Sequence, residues 1–209
     1  MYVKNRMTSN PYIVAPEDTV NDTMMLMRQK RVKSLPVVKN GKLVGVVTEK
    51  QLAEITPSPA TTLSVFEVSY LLSKTKIETI MTKDVVTISS NDLLEQASLL
   101  MRNHNVSCLP VLDNNKLVGI ICESDIFDSF IDIMGLRDTG TRISIDIIED
   151  KPGIVAEVAG IIAQSGINIT HLVLYRNELI IRVNTLNVEQ VEKSLSERGY
   201  AIKSILKSE

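Results

Sequence analysis

Hydrophobic and polar positions along the first two thirds of the chain follow the same order twice. Each time, a short extended stretch (12–15 and 85–89) is followed by apolar residues at three- and four-residue steps, which predict helices over about 19–30 and 93–103. Asp18 and Asp92 precede these steps and are expected to cap the helices. Two apolar runs joined by Asn40-Gly41 or Asn114-Asn115 then predict a β-hairpin in each copy.

The two copies superpose without a gap when the sequence is shifted by 74 residues. Residues 7–52 then lie on residues 81–126, and Met-Thr, Leu-Met-Arg, Leu-Pro-Val and Lys-Leu-Val-Gly recur in register. Agreement over 46 residues indicates an internal repeat. Between the copies, Pro-Ser-Pro at 57–59 breaks the chain, and the helical spacing of Val65, Val68 and Leu72 predicts a helix that completes the first copy.

The pattern changes after residue 130 and predicts strand, helix, strand, strand, helix and strand, with a hairpin at Arg176-Asn177. Pro152 is expected in the first turn of the first of these helices, and Gly166 just past its end. This order is that of a ferredoxin-like fold. The expected class is α+β: two repeats with small mixed sheets and helices, plus a C-terminal βαββαβ domain. The expected bounds are 1–80, 81–131, a linker over 132–140, and 141–209.

Composition indicates the cellular location and limits the classes of binding partner. No apolar run reaches the roughly 18 residues of a membrane span, and the N-terminus lacks the pattern of a signal peptide. Cys108 and Cys122 are the only cysteines, so we expect reduced thiols and a cytoplasmic location, with Cys122 a small buried residue rather than a redox sensor. A net charge of −2 and 4% aromatic residues argue against nucleic acid and membrane as partners.

Chemistry-bearing motifs are sparse. His104 and His171 lie in different parts of the sequence without an acidic cluster, so no metal site is expected. The sequence contains no nucleophile elbow, phosphate loop or zinc motif, which argues against an enzyme.

Two short motifs carry a family resemblance. GVVTEKQ at 45–51 and GIICESD at 119–125 each follow a Leu-Pro-Val strand, and together they resemble a tandem CBS pair, often called a Bateman module. Asp-Lys-Pro-Gly at 150–153 and Gly-Ile-Asn-Ile at 166–169 resemble two markers of the ACT domain. The order CBS–CBS–ACT is similar to that of acetoin-utilisation proteins of the AcuB type.

The resemblance implies a non-catalytic regulatory protein that binds an adenosine compound between the repeats and requires no cofactor. AMP, ATP, S-adenosylmethionine and cyclic di-AMP are the candidate ligands. In the family, the Ser/Thr of the motif contacts phosphate or ribose, and its Asp binds the ribose hydroxyls, as a carboxylate can. The first copy keeps Thr48 but has Gln51, whereas the second keeps Asp125 but has Cys122.

Because a carboxylate is the stronger acceptor, we expect the second cleft to be the better site. Further candidate contacts are Ile13 in the first copy and Val86, Thr87, Leu109 and Ile121 in the second.

For the ACT domain, the resemblance implies either an amino-acid pocket or a dimer contact. The candidate residues are Asp150, Pro152, Gly153, Ile154, Asn168 and Ile169. A homodimer is expected, since a two-fold is the commonest closed symmetry. The sequence does not identify a regulated protein partner. A ligand-free oligomerisation scaffold and an accessory protein in acetoin utilisation stay open as alternatives.

Overall fold

The computed structural model describes residues 1–55, 64–149 and 151–208. These form two compact units, Met1–Ile126 and Phe127–Glu209. The Pro-Ser-Pro break at 57–59 and the candidate Asp150 lie outside the described residues. Within the described ranges, no helix is long and apolar enough to cross a bilayer. The same ranges hold no cluster of three or more His, Cys, Asp or Glu side chains that could bind a metal ion.

The first unit contains the two repeats, each with a helix, a β-hairpin and a following helix. The elements are β1 (Thr8–Ser9), α1 (Val20–Lys30), β2 (Ser34–Lys39), β3 (Lys42–Thr48), α2 (Glu49–Ile55), α3 (Val65–Lys74), α4 (Leu94–His104), β4 (Cys108–Asp113), β5 (Lys116–Cys122) and the first residues, 123–126, of α5 (Glu123–Ile133). Both predicted hairpins are confirmed, and the turn residues Asn40, Asn114 and Asn115 take the positive φ that such two-residue turns require.

The predicted helix caps are wrong. Helix α1 begins at Val20 and its cap is Thr19, whose hydroxyl accepts a hydrogen bond from the Asp22 N–H at 3.1 Å. Asp18 accepts instead from the Ala15 N–H at 2.8 Å, and Asp92 accepts from the Ser89 N–H at 3.0 Å. Each carboxylate therefore closes the turn that precedes its helix, because it lies too early in the chain to reach the helix start.

The two repeats exchange their leading segments, which we define as residues 1–9 and 75–83. Strand β1 pairs with β5 of the second repeat, where Thr8 lies opposite Ile120. The second leading segment returns to the first repeat, where Thr82 forms a bridge with Val46. Val3 is fully buried in the core of the second repeat, and Ile77 in the core of the first.

The exchange explains the glycine at the start of each motif. A Cβ at Gly119 would lie 2.6 Å from the sulfur of Met7 and 3.1 Å from the Thr8 carbonyl oxygen. The corresponding distances at Gly45 are 2.6 Å to the sulfur of Met81 and 3.0 Å to the carbonyl oxygen of the residue after it. Each glycine thus permits the close approach of the other repeat's Met-Thr pair.

The second unit has the predicted βαββαβ order. Its elements are β6 (Gly140–Asp146), α6 (Ile154–Gln164), β7 (Ile169–Tyr175), β8 (Glu178–Val183), α7 (Glu189–Glu197) and β9 (Ala201–Ser208). The sheet is antiparallel in the order β7-β8-β6-β9, and its buried face packs against both helices through an apolar core. The predicted α+β class is confirmed. Pro152 lies two residues before α6, so its predicted place in the first turn is wrong.

Candidate ligand-binding site

A cavity of about 350 Å³ is lined by residues of both repeats, and its volume lies within the range of about 300–1,000 Å³ usual for small-molecule sites. It lies beside the starts of β2, β4 and α2. The lining residues are Lys33, Ser34, Val46, Thr48, Glu49, Lys50, Gln51, Thr82, Asp84, Val85, Val86, Asn105, Val106, Ser107 and Cys108. The cavity therefore brings together three predicted contacts, Thr48, Gln51 and Val86.

Ser34 is the least satisfied polar group of this cavity. Its side chain is buried, with 7% relative exposure, and its Oγ has no hydrogen-bond partner among the described residues. Leaving a buried hydroxyl unpaired costs about 1–3 kcal/mol, so such groups call for a structural or functional reason. Sequence reasoning missed Ser34, although the 74-residue repeat places it at the position of Cys108.

The Gln51 side-chain amide forms hydrogen bonds within the fold through both its oxygen and its nitrogen. Its oxygen accepts from the Thr48 N–H at 2.9 Å and from the Thr48 hydroxyl at 3.0 Å, at the start of α2. Its nitrogen donates to the Thr82 hydroxyl at 2.8 Å, in the exchanged leading segment. The same nitrogen lies 3.4 Å from the Ile80 carbonyl oxygen, an acceptor to which a carboxylate at this position could not donate.

The second motif repeats the backbone contact of the first. Asp125 accepts a hydrogen bond from the Cys122 N–H at 2.7 Å, which closes the turn from β5 to α5. Leu109 and Ile121 lie opposite each other in the hairpin and are fully buried in the core, so only their backbone could reach a ligand. Thr87 lines a separate polar depression beside Asp113.

Ile13, the third residue predicted for the first copy, lies outside the cavity. Ile13 is 48% exposed, and its neighbour Val14 binds the Pro36 carbonyl oxygen. Ile13, Thr87 and Asp125 thus lie outside the lining of the 350 Å³ cavity.

The two cysteines form a disulfide, which contradicts the expectation of reduced thiols. Their register explains the bond. Glu123 N–H donates to the Ser107 carbonyl, so the next pair, Cys108 and Cys122, is a non-hydrogen-bonded pair, in which opposite side chains lie closest. Their Cα atoms are 4.0 Å apart. In the first repeat, Ser34 lies opposite Thr48 in the same way.

The ACT-like unit has a second cavity, of about 240 Å³. It is lined by Asp146, Ile147, Ile148, Glu149, Lys151, Ile154, Glu157, Arg198, Gly199 and Tyr200. Ile154 is therefore the one predicted residue of this domain that the described structure places there. Burial, with Glu157 as hydrogen-bond partner, raises the pKa of Tyr200.

The other predicted residues of this unit have local roles. Pro152 and Gly153 are exposed in the turn before α6, where Gly153 has a φ of 96°. The Asn168 N–H donates to the Asn184 side chain at 3.2 Å, and Ile169 pairs with Val183 at the start of β7. Sequence reasoning missed Arg198 and Tyr200 because only the tertiary fold brings them beside the loop before α6.

Comparison with known families identifies both parts of the chain. The CBS domain matches residues 3–57 and 77–132, and the ACT domain matches residues 141–199. The chain belongs to the CBS domain family and carries tandem CBS domains followed by a C-terminal ACT domain. The predicted resemblance is confirmed.

Curated relatives include proteins of very different length. The CBS domain-containing protein YhcV of Bacillus subtilis is 32% identical over 124 residues, which are 59% of this chain and 81% of YhcV. Homoserine O-acetyltransferase of Methanococcus vannielii is 34% identical over 126 residues, but the match spans 59% of this chain and 24% of that enzyme.

Solved structures share the fold of the CBS part. A protein from Vibrio cholerae assigned to acetoin utilization (AcuB) has 29% identity and a TM-score of 0.53, covering 66% of this chain and 95% of its own. The CBS domain pair of protein MJ0100, in complex with 5'-methylthioadenosine and S-adenosyl-L-methionine, has 26% identity and a TM-score of 0.51, covering 62% and 95%. CBSX2 in complex with AMP has 28% identity and a TM-score of 0.52, covering 63% and 97%.

Proposed function

We propose that this protein is a non-catalytic sensor whose CBS pair binds an adenosine-containing ligand in the 350 Å³ cavity. The observation that carries the proposal is the Ser34 hydroxyl, which is buried in the cavity wall and has no hydrogen-bond partner among the residues that the structure describes. Two structures with the same fold hold such ligands: 5'-methylthioadenosine and S-adenosyl-L-methionine in one, and AMP in the other.

The lining suits the parts of such a ligand. Val46, Val85 and Val86 offer an apolar surface for a base. Ser34 and Asn105 offer polar groups for a ribose, and Lys33 and Lys50 lie at the same cavity with side-chain cations for a phosphate or a carboxylate.

Calorimetric titration of AMP, ATP, S-adenosylmethionine and 5'-methylthioadenosine tests the proposal in wild type and Ser34→Ala. We expect at least one compound to bind, and Ser34→Ala to weaken its binding at least fivefold. The ligand-free variant should be as stable as wild type or more stable, because an unpaired buried hydroxyl has been removed.

Ser90→Ala is the matched control. Ser90 is also a buried serine, but its hydroxyl donates to Asp113 at 2.5 Å, away from the cavity. This variant should lose stability and keep its affinity. Absence of binding by all four compounds, or unchanged affinity in Ser34→Ala, contradicts the proposal.

The role of Asp125 in ribose binding stays a prediction. Its carboxylate already accepts one bond from the Cys122 N–H, yet a carboxylate can accept several. Titration of Asp125→Ala beside Ser34→Ala distinguishes the two clefts. A loss only in Ser34→Ala places the ligand in the cavity described above, whereas a loss only in Asp125→Ala places it in the second cleft.

We also propose that the ACT domain binds an amino acid in its 240 Å³ cavity. Lys151 and Arg198 can pair with a carboxylate, and Glu149 and Glu157 can pair with an ammonium group. Thermal unfolding against the common amino acids should show stabilisation by one of them, and Arg198→Ala should abolish it. If none of them stabilises the protein, the ACT domain has a different role, such as dimerisation.

A homodimer is the proposed assembly. Helix α5 exposes Phe127 (67%), Phe130 (58%) and Ile133 (48%), an apolar stripe that a second copy could cover. Light scattering after gel filtration should give twice the chain mass, and Phe127→Ser with Phe130→Ser should lower it. A monomeric wild type contradicts this assembly.

A further inference from the structure

We propose that Cys108 and Cys122 are a reversible redox pair whose oxidised form orders the wall of the ligand cavity and whose reduction weakens ligand binding. The inference rests on the proposed function for its ligand, but the redox pair itself can be tested without one.

The position of the disulfide supports this inference. Cys108 is the first residue of β4 and lines the cavity, next to Asn105, Val106 and Ser107. Cys122 is the last residue of β5, and its N–H binds Asp125 at the start of α5. The bond therefore joins the cavity wall to the turn of the second motif.

Comparison with the first repeat shows what the bond adds. There, Ser34 and Thr48 occupy the positions of the two cysteines, and the Thr48 hydroxyl binds Gln51 and helps to hold its turn. Cys122 has no such hydroxyl, and its turn is closed by the Asp125 carboxylate. The covalent bond to Cys108 adds a link across the hairpin, at the position where the Ser34 hydroxyl of the first repeat has no hydrogen-bond partner among the described residues. Breaking that link should loosen both the turn and residues 105–108.

Both cysteines are half-buried rather than sealed in the core, so the bond is open to thiol–disulfide exchange. A thiolate of a dithiol reductant attacks one sulfur, the bond between Cys108 and Cys122 breaks, and the other cysteine leaves as a thiolate. The second thiol of the reductant then displaces the first cysteine. The reductant is oxidised to a disulfide, and two electrons and two protons pass to the two cysteines.

Ligand binding and redox state are then thermodynamically linked. If the oxidised form binds the ligand more tightly, the bound ligand must favour the disulfide by the same factor. The oxidised form should be the tighter binder, because the cross-link holds residues 105–108 in the arrangement that forms the cavity, and a preorganised site loses less freedom on binding.

The test compares the full chain before and after reduction by dithiothreitol, with intact mass to confirm that two hydrogen atoms are gained. Hydrogen exchange of backbone amides at 105–108 and 122–125 is measured without ligand, and AMP affinity is measured by calorimetry. If AMP does not bind in the earlier titration, the compound that does bind replaces it. We expect at least threefold faster exchange in both segments and at least fivefold weaker affinity after reduction, both reversed by re-oxidation.

The variant Cys108→Ser with Cys122→Thr is the matched control, because it installs the residue pair that the first repeat already carries at these positions. Its exchange and its affinity should not respond to dithiothreitol. Unchanged exchange or unchanged affinity in reduced wild type overturns the redox inference. Faster exchange without binding of any adenosine compound to either form supports the redox pair and contradicts the proposed function instead.

Discussion

Gly45 and Gly119 occupy equivalent positions in the two repeats, and each faces a methionine and a backbone carbonyl from the other repeat's leading segment. The methionine side chain can move aside, because it is flexible. The carbonyl cannot, since it belongs to a segment that pairs with the strand. Substitution at these positions therefore acts on the contact between repeats rather than on the strand alone.

Gly119→Ala should destabilise the protein by about 1–3 kcal/mol, as overpacking of a close contact does. Urea unfolding followed by circular dichroism measures the change. Gly160→Ala is the control of opposite sign, because a Cβ at this helical position meets no atom within 4 Å. It should stabilise α6 by up to about 1 kcal/mol. Equal stability of Gly119→Ala and wild type would show that the leading segment shifts freely.

Single residues were only partly predictable from the sequence. The motif placed Thr48 and Gln51 three residues apart, and the structure joins them at the start of α2, since their spacing is local. The partner of the Gln51 amide, Thr82, became visible only with the exchange of segments. The same holds for Leu109 and Ile121, whose Leu-Pro-Val and Gly-Ile-Ile patterns do not show which side of the strand faces the core.

At the scale of elements, a side chain of each hairpin binds the segment that precedes the helix of the same repeat. The interaction is an ion pair in the first repeat and a set of hydrogen bonds to a carboxylate in the second. In the first, the Lys39 ammonium pairs with Glu17 at 2.6 Å. In the second, Asp113 accepts from the Ser90 hydroxyl at 2.5 Å, the Ser90 N–H at 3.1 Å and the Ser89 hydroxyl at 3.1 Å. The hydrogen bonds of the second repeat therefore depend on the charged carboxylate of Asp113.

The Ser90 hydroxyl and N–H, together with the Ser89 hydroxyl, lower the pKa of Asp113 below its ordinary value. A lowered pKa stabilises the fold above the unfolded value of about 3.9, and this stabilisation is lost as the pH falls through the folded value. Asp113→Asn should therefore unfold at a lower temperature near neutral pH and lose less stability than wild type on acidification.

Thermal unfolding between about pH 6 and pH 2 measures this difference. Glu54→Gln, at an exposed position of α2, serves as the control and should follow the wild-type profile. If Asp113→Asn and wild type lose stability in parallel on acidification, the ionised carboxylate of Asp113 does not stabilise the fold.

The elements themselves were predicted well, because helical steps and Asn-containing turns are local signals. The predicted helices differ from α1 and α4 by one residue at the ends. Their caps were misassigned for a physical reason, since Asp18 and Asp92 can satisfy either a turn or a helix and the geometry of the preceding turn decides.

At the scale of the whole molecule, neither repeat completes its own core. Val3, from the first leading segment, has no exposed surface and packs among Leu94, Leu109 and Ile121 of the second repeat. The sequence repeat predicted two similar parts but could not show which leading segment joins which part. The disulfide was missed for a related reason, because it follows from strand register rather than from the number of cysteines.

Val3→Ala should destabilise the second repeat by about 2 kcal/mol, although the residue lies far from it in sequence. Hydrogen exchange should then rise at β4 and β5 of that repeat. Tyr2→Ala, at a 49% exposed neighbouring position, should change the free energy of unfolding by less than about 0.5 kcal/mol. Faster exchange confined to the first repeat would contradict the exchange of segments.

The exchanged segments also set an order of events during synthesis. Residues 1–9 leave the ribosome well before β5, so β1 has no partner strand until β5, with Ile120 opposite Thr8, has been translated. The first repeat can take up Ile77 much earlier, when only its own helices and hairpin have emerged. Strand β1 must therefore stay unpaired until β5 has emerged, so a nascent chain released before β5 leaves Val3 without its core.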